Sequence, residues 1–461
     1  MKKLSILTAA IIMSMALSIN LFAQDTIRMV WEGWTVNSFS ITATSGELFH
    51  VDWGDDSPIQ SITAIGFSQY LNHSYDNISN YYTVTIFAAN VNCLFTYFYC
   101  ADRLVTSLDV SNSTNLLGLD CGTNKLSTLD VSSNTNLTHL SCNDNLLSTL
   151  DVSNNTNLTH LCCEWNQLST LDISSNTNLI VLWCYHNQLS TLDVSSNRYF
   201  TTLWCFDNQL STLNVSNNDN LTDLQCDLNQ LNTLDVSSNA NLTQSRCRNN
   251  QLSTLDVSNN TQLEVFDCRD NQLLLSDLYV ASEQISIVNN KYLGTQQLPA
   301  QVTLTDIALF SSQTEFDGVA TVFDVKKDGV TAPTSDYIIN NGLVFLNTGN
   351  YTVTMTNGAI LSAPYYPAKV IVDITVNSEN GIVETYSYPS LRIYPNPATT
   401  HLYVKLAEPQ TTDYSIYNIM GQVVKQGTLQ GDDVINVTSL VRGTYFLKIV
   451  GATAKFVVVR D

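Results

Sequence analysis

Between Phe95 and about Leu293 the apolar positions of the chain recur every 21 residues. In one unit they are Leu137, Leu140, Cys142, Leu147, Leu150 and Val152. In the next, Leu158, Leu161, Cys163, Leu168, Leu171 and Ile173 take the same places. Each unit is nested: L-x-x-L-x-C-x-x-N-x is followed by L-x-x-L-D-V-S-x-N-x-x. Both halves alternate apolar and polar residues with the period of two that marks extended chain. A 21-residue coil has no spare length for an ordinary helix beside two such segments. The pattern therefore predicts a thin-walled β-solenoid with two extended segments per coil.

Columns of identical residues follow from that register. Cys100, Cys121, Cys142, Cys163, Cys184, Cys205, Cys226, Cys247 and Cys268 hold one inward slot. Strands about 4.8 Å apart would hold parallel Cβ atoms outside the ~3.5–4.5 Å that a disulfide wants, so the column reads as stacked, buried free thiols. Cys93 and Cys162 lie off it. Asn124, Asn145, Asn166, Asn187, Asn208, Asn229, Asn250 and Asn271 form a second column, suited to bonding the backbone of neighbouring coils. Asp109, Asp130, Asp151, Asp172, Asp193, Asp235 and Asp256 form a third, interrupted by Asn214. Its carboxylates suit turns, since the further ligands a calcium ion needs are not apparent. The unit L-x-x-L-x-C-x-x-N-x-L resembles the short bacterial, internalin-like leucine-rich repeat, with cysteine in one leucine slot. That resemblance implies a surface scaffold for adhesion or host interaction.

The flanks differ. Residues 1–24 combine Lys2 and Lys3 with an apolar run from Leu4 to Phe22 and a small Ala23, and are expected to be a signal peptide. Residues 25–92 are richer in aromatics. Val51-Asp52-Trp53-Gly54-Asp55-Asp56-Ser57, His73-Ser74-Tyr75 and Tyr82-Thr83-Val84-Thr85 there resemble the PKD-type immunoglobulin-like sandwich, which usually has glycine where Asp56 stands. This segment is expected to cap the first coil, residues 93–294 to form the solenoid, and residues 298–376 a second small β-sandwich. Alternating segments separated by Asp328-Gly329, Asn341-Gly342 and Asn357-Gly358 carry that last reading. Residues 377–388 read as a polar linker. In residues 389–461, Tyr394-Pro395-Asn396-Pro397, Tyr414 to Gly421, Gly427, Gly443-Thr444-Tyr445 and Lys455-Phe456-Val457 follow in the order of the type A C-terminal sorting domain of type IX secretion, which the segment resembles. The resemblance implies type IX secretion machinery as a partner and export of the kind seen in Bacteroidota, to the extracellular space or the outer-membrane surface. The fold class expected is all-β: a leucine-rich-repeat solenoid of 21-residue coils flanked by small immunoglobulin-like β-sandwiches.

Charge narrows the partners. Lys plus Arg number 20 against 41 Asp plus Glu, a net charge of −21, and loss of Lys2 and Lys3 would take it to −23. Nucleic acid is disfavoured because phosphate needs a basic footprint. After residue 24 no run is long and apolar enough for a transmembrane span. No H-E-x-x-H, G-x-S-x-G, phosphate-loop or C-x-x-C motif occurs, so no catalysis, metal or cofactor is expected. His139 and His160 share a repeat position but lack a carboxylate at ligand spacing.

Function is then sought at outward, variable positions beside the cysteine column. There Trp183 and Trp204, then Tyr185 and Phe206, share positions on adjacent coils, with Trp165 and His186 one place further along. Asp227, Arg246 and Arg248 supply charged neighbours. These nine residues form the candidate ligand-binding set. Two readings stand: cross-strand aromatic pairs that stabilise the sheet, or an exposed binding patch. The patch reading gives a secreted, non-catalytic surface protein that binds a protein ligand. A polysaccharide is the alternative ligand, since a flat row of indole rings also suits sugar stacking.

Overall fold

The computed structural model describes residues 24–33, 37–77, 80–304, 307–339, 341–377, 392–394, 398–405, 411–418, 422–430, 433–449 and 452–459. The expected signal peptide up to Ala23, nearly all of the linker, Trp34, Pro395 to Pro397 and Gly421 lie outside the described residues. The chain divides into two compact units, residues 1–379 and 380–461.

Eight strands appear before the regular coils: β1 (Thr26–Glu32), β2 (Asn37–Ala43), β3 (Leu48–Asp52), β4 (Gln60–Thr63), β5 (Gln69–His73), β6 (Tyr81–Ala88), β7 (Phe95–Tyr99) and β8 (Val105–Asp109). Each following coil contributes one three-residue strand: β9 (Gly118–Asp120), β10 (His139–Ser141), β11 (His160–Cys162), β12 (Val181–Trp183), β13 (Thr202–Trp204), β14 (Asp223–Gln225), β15 (Gln244–Arg246) and β16 (Val265–Asp267). They pair in parallel with a constant 21-residue offset, so Leu161 faces Leu182 and Leu182 faces Leu203. Leu158, Leu161, Cys163, Leu168, Leu171 and Ile173 of one coil all point inward and are buried. The alternation of the sequence thus fixes which face each side chain takes. All eleven cysteines are free thiols.

In the coils of β9 to β15 the second half departs from expectation: it contains no strand. Its Asp column folds the chain into turns instead, Asp172 Oδ1 accepting the Ser174 N–H at 2.9 Å, and likewise at Asp151 and Asp193. Local side-chain bonds of this kind satisfy backbone donors that a sheet ladder would otherwise take. The predicted asparagine column clamps the first half. Asn166 donates through Nδ2 to the carbonyls of Cys142, Cys163 and Glu164 and accepts the Leu147 N–H through Oδ1. A second asparagine column, not singled out from the sequence, clamps the other half. Asn134, Asn155, Asn176, Asn197, Asn218, Asn239 and Asn260 are fully buried, and Asn176 Nδ2 donates to the carbonyls of Val152 and Asn155 at 2.9 Å each.

The solenoid is closed at both ends by continuous structure. Strand β2 pairs antiparallel with β7, and β7 pairs parallel with β9, so the N-terminal segment extends the coil sheet. A second sheet, ordered β4-β3-β6-β1-β8, takes β8 from within the first coil. The N-terminal segment and the solenoid are therefore interleaved around residues 93–109. In the turn after β3, Asp56 has φ 62°, the left-handed conformation that glycine favours. Helix α1 (Leu275–Gln284) replaces the second half of the last coil, a departure from the all-β reading. That coil lacks the L-x-x-L-D-V half, and Leu275, Leu278, Ala281 and Ser282 bury at helical spacing. Beyond it, Val322–Lys327, Gly349–Thr356 and Lys369–Asn377 form an antiparallel sheet, joined in parallel by Thr295–Gln297 and Gln301–Leu304.

The second unit has sheets of three strands (Arg392–Tyr394, His401–Lys405, Asp433–Asn436) and four (Val423–Gln430, Thr411–Asn418, Gly443–Ile449, Ala452–Val458). Leu402, Ile416, Leu447 and Phe456 are in its core. Gly427 lies opposite Tyr414, and a Cβ there would stand 2.7 Å from the ring, which requires glycine.

Candidate functional site

Coils carrying β11, β12 and β13 bring six of the nine predicted residues into one block. Trp183 and Trp204 face each other in register, with ring centroids 4.8 Å apart and planes 7° from parallel. Tyr185 and Phe206 stack at 4.2 Å and 11°. Trp165 lies over His186 at 3.7 Å. Edge contacts join the pairs: His186 to Phe206 at 5.5 Å and Tyr185 to Trp204 at 6.2 Å. Such offset and edge geometries are the favoured aromatic arrangements. Trp165 is 52% exposed, whereas the other five are half-buried against each other.

Backbone conformation adds weight to two of them. Thr123, Asp144, Trp165, His186, Asp207, Leu228, Asn249 and Asp270 share one coil position, and all have φ between 50° and 57°. Asp and Asn tolerate this left-handed turn, but bulky side chains adopt it at a cost of roughly 1 kcal/mol or more. Trp165 and His186 stand there, as do Thr123 and Leu228 outside the block. His186 Nδ1 lies against the Asp207 carboxylate. Trp204 Nε1 donates to Asp223 Oδ2 at 2.9 Å, which orients its ring.

Beneath the rings sits Glu164, a residue the sequence reading passed over. It is only 4% exposed, and its Oε2 has no hydrogen-bond partner among the described residues. Burial pushes its carboxyl up to about 7, with Asp120 adding to the shift. Burial and the nearby Glu164 also raise the Tyr185 hydroxyl. The buried Trp183 Nε1 likewise has no partner among the described residues.

The charged margin differs from expectation. Asp227 is 6% exposed, because it turns under the next coil: its Oδ1 accepts the Arg248 N–H at 3.0 Å. Burial, then Asp267, pushes its carboxyl up to about 6. Arg248 Nε is 3.9 Å from Asp227 Oδ1, and Arg246 is half-buried in β15. Arg269 is engaged elsewhere, bidentate to Asp267 and stacked 4.0 Å over the Tyr366 ring. The His139 and His160 rings stack at 4.5 Å, each Nδ1 sharing a proton with the preceding threonine hydroxyl at 2.9 Å. Among the described residues, no group of three or more His, Cys, Asp or Glu is placed to hold a metal ion. None of the described helices is long and apolar enough to cross a membrane.

No curated protein matches the chain. By structure it is similar to the functional domain of InlJ from Listeria monocytogenes, which includes a cysteine ladder. The identity is 25%, over 61% of this chain and 81% of that one, with a TM-score of 0.30. It is also similar to a leucine-rich-repeat protein of Leptospira interrogans, at 24% identity over 41% of this chain and 50% of that one, TM-score 0.35. An internalin from Listeria monocytogenes matches at 20% identity over 46% and 84%, TM-score 0.31. Residues 392–459, the strands of the second unit, match the family described as secretion system C-terminal sorting domain. The chain is thus a solenoid of 21-residue coils rich in leucine, followed in sequence by a sorting domain over residues 392–459 that marks it for type IX secretion to the cell surface or the extracellular space.

Proposed function

We propose that the solenoid is a non-catalytic binding scaffold whose ligand is a protein, held by the block of Trp165, Trp183, Tyr185, His186, Trp204 and Phe206 in adhesion or host-surface contact. The carrying observation is the stack of Trp183 on Trp204 beside Tyr185 on Phe206, at positions that other coils fill with small, polar or charged residues such as Ser141, Asn143, Gln225 and Arg248. Large rings of this kind dominate the energetics of protein interfaces. Arg246 and Arg248, together on the coil two beyond Trp204 and Phe206, supply a polar margin, the usual anatomy of a specific interface. In this reading residues 25–92 act as a cap, 93–294 as the binding solenoid, 298–376 as a second β-domain, 377–388 as a linker and 389–461 as the export module.

The test compares binding and stability in the same variants. Against an array of purified surface proteins, Trp183→Ala and Trp204→Ala should each cost about 2 kcal/mol or more of affinity. Their loss of folding stability should be smaller, since an exposed cross-strand pair contributes only ~0.2–1 kcal/mol. Unchanged affinity together with reduced thermal stability would make the block a structural element only.

A further inference from the structure

A second surface feature lies beside the strands, where the chain enters each coil. A groove of about 980 Å³ runs across the coils from Asn157 to Gln262. At a spacing of about 4.8 Å per coil it is roughly 24 Å long. Two columns line it. One holds Asn157, Asn178, Asn220, Asn241 and Gln262 with Tyr199 between Asn178 and Asn220, and the other holds Thr159, Thr201, Thr222 and Thr243 with Ile180 between Thr159 and Thr201. None of the lining residues carries a charge, in a chain whose net charge is −21.

The polar columns are held rigid. Asn178 Nδ2 donates to the Thr156 carbonyl at 3.1 Å, and Asn220 Nδ2 to the Arg198 carbonyl at 3.0 Å. Each such amide keeps a second N–H and its oxygen for solvent. Thr222 Oγ1 donates to the Thr201 carbonyl and Thr243 Oγ1 to the Thr222 carbonyl, both at 3.0 Å, which leaves their lone pairs facing out. Of the three departures from the repeat, Gln262 stays polar and neutral, and the two apolar ones fall on neighbouring coils. Where the columns call for Asn and Thr, the chain places Tyr199, 53% exposed, and Ile180. The groove therefore offers fixed neutral donors and acceptors around one ring and one branched aliphatic side chain.

We propose that this groove binds an extended, uncharged polysaccharide, with one sugar ring packed on Tyr199 and Ile180 and its neighbours bonded by the asparagine and threonine columns. Sugar hydroxyls match the neutral donors and acceptors, and the C–H face of a ring matches an exposed tyrosine. An acidic polymer would meet no cation in the groove and would be repelled by the chain's net charge. An extended peptide finds no strand edge to extend, because the backbone below is already used between coils: Thr201 N–H bonds the Ile180 carbonyl and Thr222 N–H the Thr201 carbonyl, both at 2.9 Å. The rigid columns limit the ordering cost of binding.

Affinity electrophoresis of the full chain through gels containing galactomannan or xyloglucan, with polygalacturonate as the acidic control, tests the groove. Tyr199→Asn and Ile180→Thr restore the repeat's own residues, so both should fold as the other coils do. Each should weaken binding to the neutral polymers at least tenfold, while Trp183→Ala leaves it unchanged. Absence of retardation by either neutral polymer, equal retardation by polygalacturonate, or wild-type binding by both groove variants would overturn the proposal. Loss of binding only in Trp183→Ala would place the sugar on the aromatic block, and the groove proposal would fall by itself. The aromatic-block reading rests on its own protein-binding measurement.

Discussion

Glu164 shows how one buried side chain makes a patch pH-sensitive. Its folded-state carboxyl lies near 7, above the ordinary value of 4.5, because burial disfavours the charged form. Between those values the folded chain holds a proton that the unfolded chain has released. Stability therefore falls as pH rises through that window and levels off above about 7. Glu164→Gln should flatten this part of the stability curve and leave the protein more stable than wild type at pH 8. A chemical-denaturation series from pH 4.5 to 8 measures it, and an unchanged slope in the variant would remove Glu164 as the cause. Asp227, pushed up to about 6 by burial, acts in the same direction three coils away and adds to the wild-type slope.

A coil is the unit at which the two asparagine columns act, and they are unequal. Asn166 donates to three carbonyls and accepts a backbone N–H, whereas Asn176 donates to two carbonyls and its Oδ1 has no partner among the described residues. Removing Asn166 strands a buried donor as well as carbonyls, and each unsatisfied group costs ~1–3 kcal/mol. Removing Asn176 also removes a buried oxygen that already lacks a partner. Asn166→Ala should therefore destabilise by about 3 kcal/mol or more, and Asn176→Ala by about 2 kcal/mol or less. Equilibrium denaturation ranks the two, and the reverse order would refute this account of the columns. The same comparison one coil later, at Asn187 and Asn197, should repeat the ranking because the bonds repeat.

Across the molecule, the sorting domain forms its own compact unit with its own core, apart from the solenoid. Coils draw their stability from neighbouring coils. Deleting residues 388–461 should leave the thermal unfolding of the remainder close to that of the full chain, while delivery to the surface fails and the product stays in the periplasm. Cell fractionation and calorimetry of the truncated chain check both halves. Normal surface delivery would contradict the role of the sorting domain.

The sequence alone determined the coil. A period of 21 with alternating Leu and Cys leaves one way to bury the apolar side chains, and parallel in-register strands follow from it. The same register puts Trp183 on Trp204 and Tyr185 on Phe206, because equal positions on adjacent coils must face each other. Only tertiary structure decided which outward residues stay outward. Glu164 and Asp227 occupy the same column as Tyr185 and Phe206 yet are buried, since depth depends on the neighbours' size and on bonds such as Asp227 to the Arg248 backbone. It also turned the second half of each coil into Asp-stabilised turns, where alternation alone reads as strand, and put a helix where the last coil loses its second half. The interleaving of the N-terminal strands with the first coil was likewise beyond local pattern. Pairing β2 with β7 and β1 with β8 joins residues more than fifty positions apart, and side-chain alternation fixes a strand's faces but not its partner.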